Sequence, residues 1–286
     1  MKIRSQASTR GRRGAVALMI AAALTATAAC GSSSGNDSSS SGSSSNPYHL
    51  IKPGTLTVGI NLVDKPERYI ENGKPAGYDV TLLNDLAQQM GVKLELKNLD
   101  FNGLIPGLQA KSFDMVSNGL GVTPEREKVV TFTQAYDPYQ IVMAVPANST
   151  TPATVEAWNK PGVKLVGEQG SIAAAAAAKS FPKATFKAYA SNNSPLLDVA
   201  SGRADGAVLE SYLVVAYSQE HPSQLKALRF PSDILPTYFA AWAVQKGNTA
   251  LQQYLNQFLC TKQKSGELAK IYQQQEHAPM PKMPAC

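Results

Sequence analysis

The sequence predicts an α/β protein of two lobes joined by two extended crossings. Three observations predict it. Strand-like and helix-like segments alternate from Leu56 onward, the order that builds a sheet with helices packed on it. A turn-rich stretch, PANSTTPAT, separates this first series from a second of the same kind. An apolar and aromatic run, Tyr238–Val244, follows the second series and is placed to cross back to the first. Each lobe should hold a mixed sheet flanked by helices.

The elements follow in order. Leu56–Ile60 is a strand by its β-branched and apolar content. Asn72-Gly73 is a hairpin-type turn signal. Val80–Met90 carries apolar residues at helical spacing, and Gly91 fits its C-cap. Lys93–Leu96 is the next strand, Leu104–Ala110 a short helix and Asp114–Ser117 a strand. Thr123–Val129 reads as a helix, with Thr123 as N-cap and Pro124 in the first position. Ile141–Val145 is the strand before the turn-rich stretch. In the second series Val163–Val166 is a strand, and Gly170-Ser171 opens a helix containing Ala173–Ala178. Thr185–Tyr189, Pro195–Ser201, Gly206–Leu209 and Ser211–Ser218 then alternate strand, helix, strand, helix. Ala250–Cys260 and Gly266–Gln274 are closing helices. The lobes are expected at 47–139 plus 238–286 and at 140–237, with hinges at Tyr139–Val142 and Leu235–Tyr238. Ligands in such sheets bind outside the carboxyl ends of the strands, here in a cleft.

The first 46 residues are not fold. Lys2, Arg4, Arg10, Arg12 and Arg13 precede an apolar run from Ala15 to Leu24, and TATAAC follows. A basic head, a short apolar core and small residues before a cleavage point make an export signal, expected over residues 1–30. The apolar run is shorter than the ~20 residues of a membrane span. Small residues before Cys30, then GSSSG, resemble a bacterial lipobox, with Cys30 as the lipidated first residue of the mature chain. Thr27 departs from that pattern, where an aliphatic residue is usual, and plain secretion stays open. Residues 31–46, nearly all Ser, Gly, Asn and Asp, should form a flexible tether.

Composition then limits function. The net charge of +6 belongs mostly to the leader: taking its five Lys/Arg from 27 leaves 22 basic residues against 21 acidic. A nucleic-acid reading loses its basis. If Cys30 carries lipid, Cys260 and Cys286 remain in an oxidising setting and should pair, stapling the C-terminal tail to the helix before it. His49, His221 and His277 are scattered in polar or Pro-flanked contexts and form no metal or catalytic constellation. No GxSxG, HExxH or P-loop pattern occurs. Neither a cofactor, a metal nor catalysis is expected.

One stretch asks for an anion. In GLGVTPEREKVVTF, Arg126 falls in the first turn of its helix. The positive end of the helix disfavours a cation there by roughly 0.3–1 kcal/mol. Glu125 and Glu127 could offset it, or helix end and guanidinium could both face a bound anion.

Four segments carry a resemblance that favours the anion. GYDVTLLNDLAQQMG (Gly77–Gly91), DFNGLIPGLQAKSFDMVSNGLGVTPER (Asp100–Arg126), VVTFTQAY (Val129–Tyr136) and GRADGAVLES (Gly202–Ser211) resemble the polar amino-acid solute-binding proteins of ABC importers. These are family 3 extracellular solute-binding proteins with the type II periplasmic binding protein fold. The resemblance covers nearly all of the chain after the tether. It implies two lobes that close on a free amino acid and deliver it to a membrane permease, with the protein acting as a monomer.

The resemblance also implies site residues. Arg126 would clamp the ligand α-carboxylate, which a guanidinium fork matches bidentately. Backbone near Gly119 and Gly121 could approach the same group, and Ser171 would supply a second contact while capping its helix. Phe101 would pack on the ligand side chain, and Asn61 and Asp64 line the cleft. Glu210 would hold the α-ammonium where relatives usually have Asp. Gly121 stands where relatives usually have Thr or Ser. Asp64, Glu67 and Glu168, if two of them face inward, would favour a basic or neutral polar amino acid over an acidic one. Two other readings are a cyclohexadienyl or arogenate dehydratase-like enzyme on the same fold and a ligand-binding sensor module.

Overall fold

The structure is a computed structural model that describes residues 46–277 and 279–286. The expected leader, Cys30 and all but the last residue of the tether lie outside the described residues.

Most of the strands join one curled sheet, in the order β4 (Lys93–Asn98), β1 (Thr55–Ile60), β5 (Met115–Val116), β11 (Thr237–Gln245), β6 (Val130–Pro146), β9 (Gly206–Glu210), β7 (Lys164–Glu168), β8 (Thr185–Tyr189). Its two halves are built alike. In one, β1 (Thr55–Ile60) lies between β4 (Lys93–Asn98) and β5 (Met115–Val116), all parallel. In the other, β7 (Lys164–Glu168) lies between β8 (Thr185–Tyr189) and β9 (Gly206–Glu210), again parallel. Parallel strands need crossovers, and helices α1 (Tyr78–Met90), α2 (Phe101–Gln109), α5 (Ile172–Ser180) and α6 (Asn193–Ala200) supply them. Every residue of β1 is buried, its alternating Leu56, Val58 and Ile60 together with the small residues Thr55, Thr57 and Gly59, because both faces of the strand are covered. β2 (Tyr69–Glu71) and β3 (Lys74–Ala76) form a separate hairpin around Asn72-Gly73.

Two antiparallel strands connect the halves. β6 (Val130–Pro146) and β11 (Thr237–Gln245) pair along Val130–Gln140. At Ile141 β6 changes partner to β9, and β10 (Leu225–Leu228) joins its far end. The change of partner, between Gln140 and Ile141, falls within the expected hinge. β6 is longer than the expected Ile141–Val145. Its first part carries Gln134, Asp137 and Pro138, which interrupt a strand pattern, and two register shifts in β11 accommodate the irregularity. α2 starts at Phe101 rather than Leu104, with Pro106 inside it. α3 (Pro124–Glu127) is a single turn, and its cap is the expected one: Thr123 Oγ1 accepts from Arg126 N at 3.3 Å. α4 (Val155–Trp158) and β10 are short elements that periodicity did not reveal.

An aromatic column holds the first half together. Tyr78 stacks on Tyr136, Tyr136 meets Trp242 at 5.2 Å, and Trp242 stacks on Phe258 of α8 (Thr249–Lys264). All four are essentially buried. α9 (Glu267–Glu276) closes over α1, and the Cys260–Cys286 disulfide ties the tail to α8, as the cysteine count predicts.

Candidate functional site

The parallel strands of both halves end at one gap. Asn118 and Gly119 follow β5, Glu168 ends β7, and Glu210 ends β9 and begins α7 (Ser211–Glu220). Chain reversals leave polar ends there because backbone groups past the last ladder bond need other partners. The gap is nearly closed, with a free cavity volume of about 10 Å³, and is lined by charged and aromatic side chains from both halves.

Arg126 reaches across it. Nη1 donates to the Gly121 carbonyl at 2.7 Å, and Nη2 donates to the Gly170 carbonyl of the opposite half at 3.0 Å. The guanidinium lies 5.6 Å from the centre of the Phe101 ring. Burial draws its pKa below the ordinary value, while Tyr238, Glu210 and Glu168 pull the other way. Guanidinium nevertheless stays protonated in proteins. A cation held by two neutral carbonyls keeps its charge uncompensated at the contact, the condition under which an incoming carboxylate gains most.

The opposite charges sit deeper. Glu210, 7% exposed, accepts from Tyr238 Oη at 2.9 Å, and burial raises its pKa. Glu168, 5% exposed, is pushed from 4.5 up to about 9, first by burial and then by the Asp64 and Glu210 charges. Its proton is therefore retained by the folded cleft and released by the unfolded chain. The stability this contributes is full below the ordinary 4.5 and is lost as pH rises toward 9. The ligand-free protein should lose melting temperature across that window, and Glu168→Gln should flatten the slope in a pH series of thermal melts. An unchanged slope in the variant would contradict this assignment.

A buried guanidinium that the sequence did not single out organises this floor. Arg68 is 4% exposed. Nη2 bonds Asp64 Oδ2 at 2.9 Å and Tyr212 Oη at 3.0 Å, and Nη1 bonds Asp79 Oδ2 at 3.3 Å. Asp79 Oδ1 in turn accepts from Tyr136 and Ser117. Arg68 and Tyr212 thus join the two halves beneath the gap. The available signal was the Asp64–Arg68 spacing next to the hairpin: the backbones of these two residues exchange both hydrogen bonds at 2.8 Å.

The expected site residues divide into three groups. Arg126, Phe101, Gly119, Gly121, Ser171 and Glu210 line the gap together. Ser171 also caps α5, accepting from Ala174 N at 3.0 Å. Asp64 is one layer back, paired to Arg68. Asn61 turns away: its side chain donates to the Leu99 carbonyl and its N–H to Asn118 Oδ1 at 2.6 Å, which fixes the strand ends. Tyr139, Asn192, Tyr212 and Tyr238 complete the lining without having been foreseen. Gly121 has a steric reason. A Cβ there would collide with Ile172 Cδ1 of the facing half and come within 2.8 Å of the Tyr238 ring. A Thr or Ser would require the Ile172 side chain and the Tyr238 ring to shift.

Two α/β lobes, two crossings and a charged gap at the strand ends define the class: a type II binding-protein fold. A family described as bacterial extracellular solute-binding proteins, family 3, matches residues 56–275, and the chain belongs to it. It is 29% identical over 206 residues to ABC transporter arginine-binding protein 1 of Escherichia coli (strain K12), covering 71% of this chain and 82% of that one. In structure it is similar to the ancestral amino acid-binding protein AncCDT-1, a precursor of cyclohexadienyl dehydratase, with TM-score 0.72 and 31% identity over 78% of this chain and 95% of that one. It is also similar to an ancestral arginine-binding protein bound to arginine, with TM-score 0.70 and 29% identity over 78% of this chain and 98% of that one.

Proposed function

We propose that the protein captures a free amino acid with a basic or neutral polar side chain by lobe closure and hands it to the permease of an ABC importer. The observation that carries this reading is Arg126, spanning the gap on Gly121 and Gly170 opposite the Glu210 carboxyl. An α-carboxylate would displace the two carbonyls and take the fork bidentately. An α-ammonium would meet Glu210 across the gap. Ligand then adds contacts available only when both lobes are present, so it shifts the population toward the closed form. The walls stand too near for entry without such an opening, with Ile172 against Gly121.

Family membership supports a location outside the cytoplasm. A lipid on Cys30 and the tether beyond it would hold it at the outer membrane face as a monomer; without the lipid it would be secreted or periplasmic. The reading is binding without bond-making. Calorimetry with the twenty amino acids tests it: a basic or amide amino acid should bind tightly and glutamate should not. Tight binding of glutamate alone would contradict it, as would aromatic product from prephenate or arogenate.

A further inference from the structure

The inner wall of the cleft keeps acceptor capacity that its neighbours do not use. Asn192, at the start of α6, is 2% exposed and lines the gap. Its Nδ2 faces Asp64 Oδ1 at 3.3 Å and Glu168 Oε2 at 3.5 Å. Its Oδ1 is buried without a hydrogen-bond partner among the described residues. A buried carbonyl left so is costly and marks a missing donor. Beside it, the Glu168 side chain receives only that long 3.5 Å contact among the described residues.

The charges around Glu168 point the same way. Asp64 faces it from the loop after β1 and Glu210 from the end of β9, and the Arg68 guanidinium and, from the head-group side, Arg126 oppose them. Arg68 keeps a buried Nε without a hydrogen-bond partner among the described residues, but its charge is already shared between Asp64 and Asp79. Carboxylates therefore exceed guanidinium on this wall.

We propose that Glu168 and Asn192 form the receptor for a cationic ligand side chain, a guanidinium or ammonium. The proposal rests on the amino-acid reading above and narrows it to basic amino acids. A cation presents N–H donors only, which suits the Asn192 Oδ1 and the Glu168 carboxyl, whose proton, retained in the ligand-free cleft, leaves to solvent when the cation binds. A ligand amide would turn its own oxygen toward one of them. Arg126 and Glu210 hold the amino-acid head, and this second pair reads the far end.

The test compares L-arginine with L-citrulline, its neutral isostere, by calorimetry on the wild type and two variants. The wild type should prefer arginine. Glu168→Gln should lower arginine affinity by about 30-fold or more, the scale for removing one partner of a desolvated charge pair. Citrulline should change by less than about threefold, since it brings no charge. Asn192→Ala should weaken arginine by about tenfold, the loss of a charge-assisted hydrogen bond. Thermal melts establish that both variants fold. Equal arginine affinity in Glu168→Gln and wild type would overturn the proposal, as would a wild type that prefers citrulline. Either result leaves the amino-acid reading intact if Arg126→Ala still abolishes binding; loss of that effect would instead remove the head-group assignment.

Discussion

Arg126→Ala should weaken amino-acid binding by about 2–5 kcal/mol, roughly 30- to 5000-fold. The variant leaves a carboxylate desolvated in a narrow gap with no cation to meet it. It also removes the contact from Nη2 to the Gly170 carbonyl, a direct bond between the lobes. Folding should suffer little, because Arg126 is only half-buried, on a single-turn helix whose cap is made by Thr123 rather than by the side chain. The expected result is a large affinity loss with a melting temperature close to that of the ligand-free wild type. Calorimetry and thermal denaturation of one preparation supply both numbers. A comparable loss of stability would show that Arg126 is mainly a structural strut.

Arg68→Met should act in the opposite way and destabilise the fold by about 3–5 kcal/mol. Asp64 and Asp79 are 2% and 0% exposed, and both lose their guanidinium. Tyr136 and Ser117 would still bond Asp79, so its charge stays solvated in part. Burial already raises the Asp79 pKa, with Arg68 the largest opposing influence. Removing Arg68 must raise it further. The cost of the substitution should therefore shrink in acid, where the carboxyls take up protons, and grow as pH rises. Urea unfolding at acid and neutral pH measures this. A loss below about 1 kcal/mol at neutral pH would mean that the buried ion pairs are nearly balanced by their desolvation.

These two arginines show what the sequence made legible and what it hid. Arg126 was visible because it breaks a local rule, a cation in the first turn of a helix, and because TPER lies inside a longer resemblance. Arg68 breaks no local rule. ERYIENG reads as an exposed hairpin approach, and only the packing of α1 and α7 over it makes the guanidinium a buried centre. β9 was legible from its short apolar run and β1 from the alternation of Leu56, Val58 and Ile60. The first part of β6 was not, because Asp137 and Pro138 belong to a crossing rather than to a regular ladder. Asn61 was placed near the correct strand end, but residue type alone could not say that its amide turns to Leu99. Asn192 was invisible for a related reason. An Asn before a Pro-containing helix is ordinary turn chemistry, and only its position between Asp64 and Glu168 gives it another use.

The most direct test of the account removes one group from the ligand and its partner from the protein. The tightest-binding amino acid and its α-decarboxylated amine are titrated into wild type and into Arg126→Ala. A guanidinium that waits for the carboxylate predicts a strong preference for the amino acid in the wild type and near-equal affinities in the variant. A preference of the same size in both proteins would mean that another group grips the carboxylate, and the assignment of Arg126 would be wrong.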